Sequence, residues 1–289
     1  MKIIEIQNLT KYYGKVKGIE NLSLDLNKGE IFALIGPNGA GKSTTIRSFM
    51  NLINKTSGKV LINGKEFTKD DIETKKIIGY LPSEINLYEE LTVKEMIDYH
   101  QSYYDKKNGK RRKELVNLFK LDESKKIEEL SLGNLKKLGI VLALIHNPKI
   151  LILDEPTSGL DPIMQQVFYK LLESEKEKGT TIIYSTHILS EVSKICDRVG
   201  IVKDGNLIKI EDIEEISKKN LGYITIKSKD VNKIIKDFKI EAIYLDDTTI
   251  RFSNKFNYNE LIEKLSKYDI EKLLVEDMSL EEMFLHYYK

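Results

Sequence analysis

Apolar runs and helical stripes alternate along the first 215 residues. Glu30 to Gly36 (EIFALIG) is a short apolar run ending in glycine, the pattern of a buried strand, and 43–53 continues as a helix. Lys149 to Asp154 (KILILD) and Thr180 to Ser185 (TTIIYS) are two more buried strands. Ile3 to Tyr13 and Ile19 to Asn27 mix apolar with polar positions, which predicts strands with one wet face. After Asp161-Pro162, apolar residues fall at 163, 164, 167, 168, 171 and 172. That spacing is a helical stripe, opened by an Asp cap and a proline at the first helical position. Strands alternating with helices predict an α/β layered domain.

From Leu221 the texture changes. Strands are predicted at Tyr223–Lys227, Ala242–Leu245, Thr249–Phe252 and Glu271–Val275, with helices at Val231–Phe238 and Tyr258–Leu265. The order β-α-β-β-α-β is that of a split-βαβ, ferredoxin-like unit. A last helix is expected from Ser279, where Ser279 and Glu282 have capping-box spacing. The boundary is placed near 215, within the charged stretch Glu211 to Lys219. This gives a domain of residues 1–215 and a smaller α+β domain of 216–289.

Composition narrows the classes. Lys and Arg total 46 against 45 Asp and Glu, a net charge of +1, so no overall field attracts nucleic acid. No nucleic-acid partner is expected. Hydrophobic residues are 41% of the chain and charged residues 31%, which suits a globular protein rather than a disordered one. Cys196 is the one cysteine, so an intramolecular disulfide is impossible. No apolar run approaches the roughly 20 residues that span a bilayer. The start (MKIIEIQNLTKYYG) lacks the apolar core of a secretory signal. A cytoplasmic location is expected.

Candidate chemistry begins at Gly36-Pro37-Asn38-Gly39-Ala40-Gly41-Lys42-Ser43, followed by Thr44. This matches G-x-x-x-x-G-K-[ST] between a predicted strand and a predicted helix. Glycines let the backbone turn its N–H groups onto phosphate oxygens, and the helix dipole adds to that field. Lys42 is suited to the β- and γ-phosphates, and the Ser43 hydroxyl to Mg²⁺. Ile150 to Glu155 is an apolar run ending in two carboxylates, where strand ends face a ligand crevice. Asp154 is suited to hold the Mg²⁺ shell, and Glu155 to polarise a water attacking the γ-phosphate. The bland alternative is a strand that simply turns polar at the surface.

With Tyr13-Gly14, LSLGN at 130–134, SGLD at 158–161 and STH at 185–187 added in this order, the chain resembles the ATP-binding cassette (ABC) ATPases. These are the nucleotide-binding subunits of ABC transporters, and the likeness covers residues 2 to 215. The resemblance implies a P-loop fold with a RecA-like core, an antiparallel β subdomain and a helical subdomain carrying the signature. It implies that Tyr13 stacks on adenine, with Tyr12 as the competing aromatic. Ser131, Gly133 and Asn134 would cap an ATP held by the opposite subunit. Asp161 would lie in the loop that crosses the dimer interface as well as capping a helix, and His187 would contact the γ-phosphate. His100, His146 and His286 lack such context and read as structural.

Two positions depart from the family. Ser83 stands where Gln normally reaches Mg²⁺ and the attacking water, and is too short to reach equally far; water or Glu84 could substitute. Leu132 replaces the first glycine of LSGGQ. Both changes resemble a bacitracin-type, type-2 exporter branch, many members of which end in a segment similar to Ser279–Tyr288. The implied partners are an integral-membrane permease on a separate chain and a second ABC ATPase subunit, as a homodimer. The protein would then sit at the inner face of the membrane. The area 85–100, with Leu87, Tyr88, Leu91 and Val93, would dock the permease, ordinary core packing being the alternative. Competing readings are a soluble ABC ATPase acting on ribosomes or DNA, and an ATP-binding regulator with little turnover. The C-terminal unit has no chemical motif; it could regulate closure, strengthen dimerisation, contact the membrane partner or simply cover apolar surface.

Overall fold

The computed structural model describes residues 1–104, 108–218, 222–254 and 256–277. The chain divides into two compact units, Met1–Ile213 and Glu214–Lys289. In chain order the first unit begins with strands β1 (Lys2–Tyr13), β2 (Val16–Asn27) and β3 (Ile31–Ile35), then helix α1 (Lys42–Phe49). Strands β4 (Ser57–Ile62) and β5 (Lys65–Glu66), helix α2 (Ile72–Lys76) and strand β6 (Ile78–Leu81) follow. Helices α3 (Val93–Gln101), α4 (Gly109–Phe119) and α5 (Leu132–Leu144) come next. The remainder is β7 (Ile150–Asp154), α6 (Pro162–Glu177), β8 (Thr181–Thr186), α7 (Leu189–Ile195), β9 (Arg198–Lys203) and β10 (Asn206–Asp212), with α8 (Ile213–Lys218) starting at its last residue.

Two sheets organise this unit. One is antiparallel, in the order β2-β1-β4-β5; the other runs β10-β9-β3-β8-β7-β6 and is parallel except at β10. Strands β3, β7 and β8 are buried along their whole length. An unbroken apolar run is what a parallel strand covered on both faces requires. In β1 and β2, Ile4, Ile6 and Leu9 face Leu22, Leu24 and Leu26 in the core, while the intervening polar side chains are wet. Each such buried aliphatic side chain contributes roughly 2 kcal/mol.

Helix ends differ from the sequence expectation for local reasons. Helix α1 stops at Phe49 rather than 53, because Asn51 turns left-handed (φ 54°) and donates its side-chain amide to Phe67 O at 3.1 Å. Helix α5 starts at Leu132, three residues before the expected Leu135, since Ser131 caps it by accepting the Asn134 N–H at 3.3 Å. In α6, Asp161 caps Met164 N at 2.9 Å and Pro162 follows. Met164, Phe168, Leu171 and Leu172 are buried, but Ile163 is exposed, because it lies on the flank of the i, i+4, i+7 stripe. That stripe continues to Glu175, which is buried and paired with Arg111 of α4 at 2.6 Å. Val93 is fully buried at the start of α3, so it belongs to the core and not to a docking surface.

The second unit contains β11 (Gly222–Ser228), α9 (Val231–Phe238), β12 (Ala242–Asp246), β13 (Thr249–Ser253), α10 (Tyr258–Leu265) and β14 (Ile270–Asp277). Its sheet order is β12-β13-β11-β14 with every neighbour antiparallel, a split-βαβ arrangement. Ile224, Ile226, Ile234, Ile250, Phe252 and Leu261 form its core. The helix expected from Ser279, its capping box with Glu282, and His286 lie outside the described residues.

Candidate nucleotide site

Sheet order decides what meets. Strands β3, β8, β7 and β6 lie side by side, and their carboxyl ends lead into Gly36, His187, Glu155 and Ser83 respectively. In open α/β sheets this edge is where ligands bind. A cleft of about 440 Å³ opens there, lined by Tyr13, Gly18, Asn38, Lys42, Ser43, Thr44 and Glu155 among others. A second cleft of about 440 Å³, lined by Lys28, Lys149 and Thr180 among others, sits at the opposite ends of β3, β7 and β8. Volume alone does not separate the two; strand polarity does.

The loop from Gly36 to Thr44 is built on close backbone approach. A Cβ at Gly36 would lie 2.4 Å from Val202 O, and one at Gly41 (φ +109°) 2.8 Å from Gly18 O. Gly39 is also left-handed, at φ +81°. Ala40 N donates to Pro37 O at 3.1 Å, which closes the turn. Helix α1 then begins at Lys42, so its first-turn N–H groups face the cleft with the positive dipole end. Lys42 Nζ donates to Gly36 O at 2.7 Å and to Pro37 O at 3.2 Å. Burial pushes this ammonium below the ordinary lysine range, while the Glu155 and Asp154 carboxylates pull it back up. Tyr13 is half-exposed at the rim, with Lys11 Nζ 4.8 Å from its ring centroid. Tyr12 is engaged elsewhere, donating its hydroxyl to Glu20 at 2.7 Å.

The two carboxylates differ in environment. Asp154 is fully buried; its Oδ1 accepts from Ser185 Oγ at 2.5 Å, and its Oδ2 has no hydrogen-bond partner. A buried carboxylate oxygen with unspent lone pairs fits a hard divalent cation. Among the described residues no cluster of three or more His, Cys, Asp or Glu could hold a metal unaided. That donor set suits Mg²⁺, which keeps waters and takes phosphate oxygens, and does not suit a metal needing an all-protein cage. Glu155 is partly exposed. Its Oε1 lies 3.1 Å from His187 Nδ1 and 4.0 Å from Lys42 Nζ. Its backbone is left-handed (φ 48°), a conformation costing a non-glycine residue about 1–2 kcal/mol. Three bonds hold it: Glu155 N donates to Ser185 O at 3.1 Å, and Glu155 O accepts from Lys136 Nζ at 3.3 Å and from Ser158 N at 3.4 Å.

The other predicted residues lie apart from this cleft. Ser131, Gly133, Asn134 and Asp161 do not line it. Gly133 packs instead against Gly159, where a Cβ would stand 2.8 Å from Gly159 O. Leu132 is exposed and lies over Gly159. Two buried ions were not anticipated from sequence. Lys136 makes the bond to Glu155 O noted above, and Glu191 of α7 collects four hydroxyls from Thr157, Tyr169, Tyr184 and Thr186. Lys136 heads the stripe 136, 139, 140, 143 of α5, a local sign that it is buried but not of what it bonds. Nothing in the spacing of Thr157, Tyr169 and Tyr184 pointed to Glu191.

A phosphate-cradling loop, an acid pair and a histidine at adjacent strand ends define a P-loop nucleoside triphosphatase. The ABC transporter family model matches residues 19–158. The Bacitracin transport ATP-binding protein BcrA of Bacillus licheniformis is 36% identical, over 98% of this chain and 96% of its own length. A dimeric bacterial ABC transporter cassette superposes with a TM-score of 0.67 at 30% identity, over 73% of this chain and 99% of that one. The same cassette bound to ADP and phosphate after hydrolysis superposes at 0.66 and 28% identity, over 73% and 99%. The chain belongs to the ATP-binding subunits of ABC transporters. It has the P-loop ABC fold and is an ATPase of that family. Neither a ribosome- or DNA-acting ATPase nor a low-turnover regulator is favoured. Among the described residues no helix is long and apolar enough to cross a membrane.

Proposed function

We propose that this chain is the ATP-hydrolysing subunit of an exporter, working as a homodimer at the cytoplasmic face of a membrane on a separate permease. The observation that carries the proposal is the Glu155 carboxylate, which reaches both His187 and Lys42 at the mouth of the phosphate loop. Tyr13 stacks on the adenine. Lys42 gives up the carbonyls of Gly36 and Pro37 for phosphate oxygens, joined by the backbone N–H groups of 38–44. Ser43 and Asp154 would hold Mg²⁺, which neutralises phosphate charge when bound. Glu155 takes the proton of the attacking water, and His187 orients that carboxylate and contacts the terminal phosphate.

Ser131, Gly133 and Asn134 stand away from their own chain's cleft. In the proposal they cap the nucleotide of the second subunit, with Asp161 at the dimer interface. Binding draws the halves together, and hydrolysis releases them. The membrane subunit docks near the segment following Ser83, and the unit after residue 215 modulates closure. Export is supported by similarity to a bacitracin transport protein.

Glu155→Gln is the test. Mg·ATP binding is expected to persist while phosphate release falls by about 100-fold or more, the usual share of a general base. Unchanged steady-state release would remove Glu155 from this role.

A further inference from the structure

Lys136 is 3% exposed and lies in the first half of α5. Its ammonium donates to two main-chain carbonyls on different strands: Ser83 O at 3.1 Å, past the end of β6, and Glu155 O at 3.3 Å, past the end of β7. Those strands are neighbours in the sheet, so one buried cation bridges two adjacent strand-end loops. Burial lowers the proton affinity of Lys136, and the carboxylates of Asp154 and Glu155 raise it again.

Two further contacts make the bridge stiff. One helical turn on, Gly139 brings α5 so close to the 81–85 segment that a Cβ there would stand 2.5 Å from Ile85 Cδ1 and 2.8 Å from Leu81 Cδ1. At the other end, Glu155 keeps a left-handed backbone that a side-chain-bearing residue adopts only when its surroundings impose it. The Lys136 bond to its carbonyl is one of the three that do so, and the one of the three made by a side chain.

We propose that Lys136 is a positioning residue for ATP hydrolysis: it holds the backbone of Glu155 so that the carboxylate faces the cleft, and ties that backbone to the segment at Ser83. Ser83 contributes through its main-chain carbonyl, so the short side chain at that position is no obstacle. A displacement of the 83–85 segment is carried by the ammonium to the residue that activates water. The proposal rests on the role given to Glu155 above.

The test uses the full chain with Lys136→Met, which keeps length but has no donor, Lys136→Gln, which keeps a neutral donor, and Lys136→Arg, which keeps charge and donors. Turnover and KM for Mg·ATP are measured together with amide exchange of the segments 83–87 and 155–159. For Lys136→Met the expected result is a loss of about tenfold to 100-fold in kcat, the cost of misplacing a reacting group by about an ångström, with KM within about twofold. Exchange should quicken in both segments together. Lys136→Arg should recover most of the lost kcat, and Lys136→Gln should fall between the two. Wild-type kcat in Lys136→Met overturns the proposal, as does faster exchange confined to one segment. If Lys136→Met does not fold, Lys136→Gln decides by the same two readouts. If the unmutated protein neither binds nor turns over Mg·ATP, the role of Glu155 fails, and the exchange comparison still decides whether Lys136 ties the two loops.

Discussion

Removing the carboxylate of Glu191 should loosen the end of β8 and the loop after β7 together. Glu191 is 3% exposed and accepts from Thr157 Oγ1 at 2.6 Å, Thr186 Oγ1 at 2.7 Å, Tyr184 OH at 3.0 Å and Tyr169 OH at 3.2 Å. An ionised carboxylate has about four acceptor positions, so this one is saturated by hydroxyl donors alone. Burial, helped by the neighbouring Glu191 charge, holds both tyrosines above their ordinary range, so they remain protonated donors. In Glu191→Ala all four bonds are lost, each worth about 1.5–3 kcal/mol to a charged acceptor. Relief of the carboxylate's own desolvation returns part of that. A net loss of about 3 kcal/mol remains, which in a unit of this size lowers Tm by roughly 6–12 °C. Glu191→Gln keeps one acceptor oxygen but turns an N–H₂ toward hydroxyls that need acceptors, so about half that loss is expected. Thr157 and Thr186 adjoin Glu155 and His187 in sequence, so kcat should fall as well, measured below both melting temperatures. Thermal unfolding of the full chain followed by circular dichroism reads the first effect. A Glu191→Ala protein melting within about 2 °C of wild type would refute the reasoning.

Two other perturbations have signs fixed by the structure. His146 stacks on Tyr104 at 4.2 Å, with His100 nearby, and burial, helped by repulsion from His100, brings its pKa down to about 4. The unfolded chain therefore binds a proton that the native state refuses between about pH 6.5 and 4. Stability is whole above that window and lost as pH falls through it, by up to about 3 kcal/mol. His146→Gln should flatten the dependence, and denaturant midpoints at pH 7.5 and 5 that shift equally in both proteins would exclude His146 as the cause. Arg111→Met leaves the buried Glu175 paired with Lys178 at 2.8 Å. A loss of about 2–4 kcal/mol is expected in chemical denaturation, and a value under about 0.5 kcal/mol would show that the pair is energetically idle.

The parts of this molecule legible in the sequence are those written in neighbouring positions. The runs at Ile31–Ile35, Ile150–Asp154 and Thr181–Thr186 are legible as strands because each has an unbroken apolar centre. The loop 36–44 declares itself because phosphate binding needs glycines at fixed local offsets. Helix ends were less legible. The stop of α1 depends on Asn51 finding Phe67 O, sixteen residues away, and the start of α5 on Ser131 capping Asn134. Least legible were the buried ions. Lys136 and Glu191 are fixed by partners 19 to 53 and 5 to 34 residues distant, and no local rule assembles those.

The two departures from the family pattern are each accommodated by backbone. Where Ser83 is too short to act through its side chain, its carbonyl is taken up by Lys136. Leu132 is tolerated because it turns outward over Gly159, which is left-handed (φ +83°) and has no Cβ; one added there would stand 3.3 Å from Leu132 Cγ. Gly133, the glycine that is retained, has no such freedom, since any side chain would meet Gly159 O at 2.8 Å. The pair Gly133 and Gly159 is thus a main-chain contact between the start of α5 and the 158–161 loop. Lys136 lies three residues further along the same helix and touches Glu155. Helix α5 therefore meets the chain both at the acid pair and at the loop four residues beyond it. A leucine is permitted at the first glycine position and excluded at the second because only the second lies in that contact.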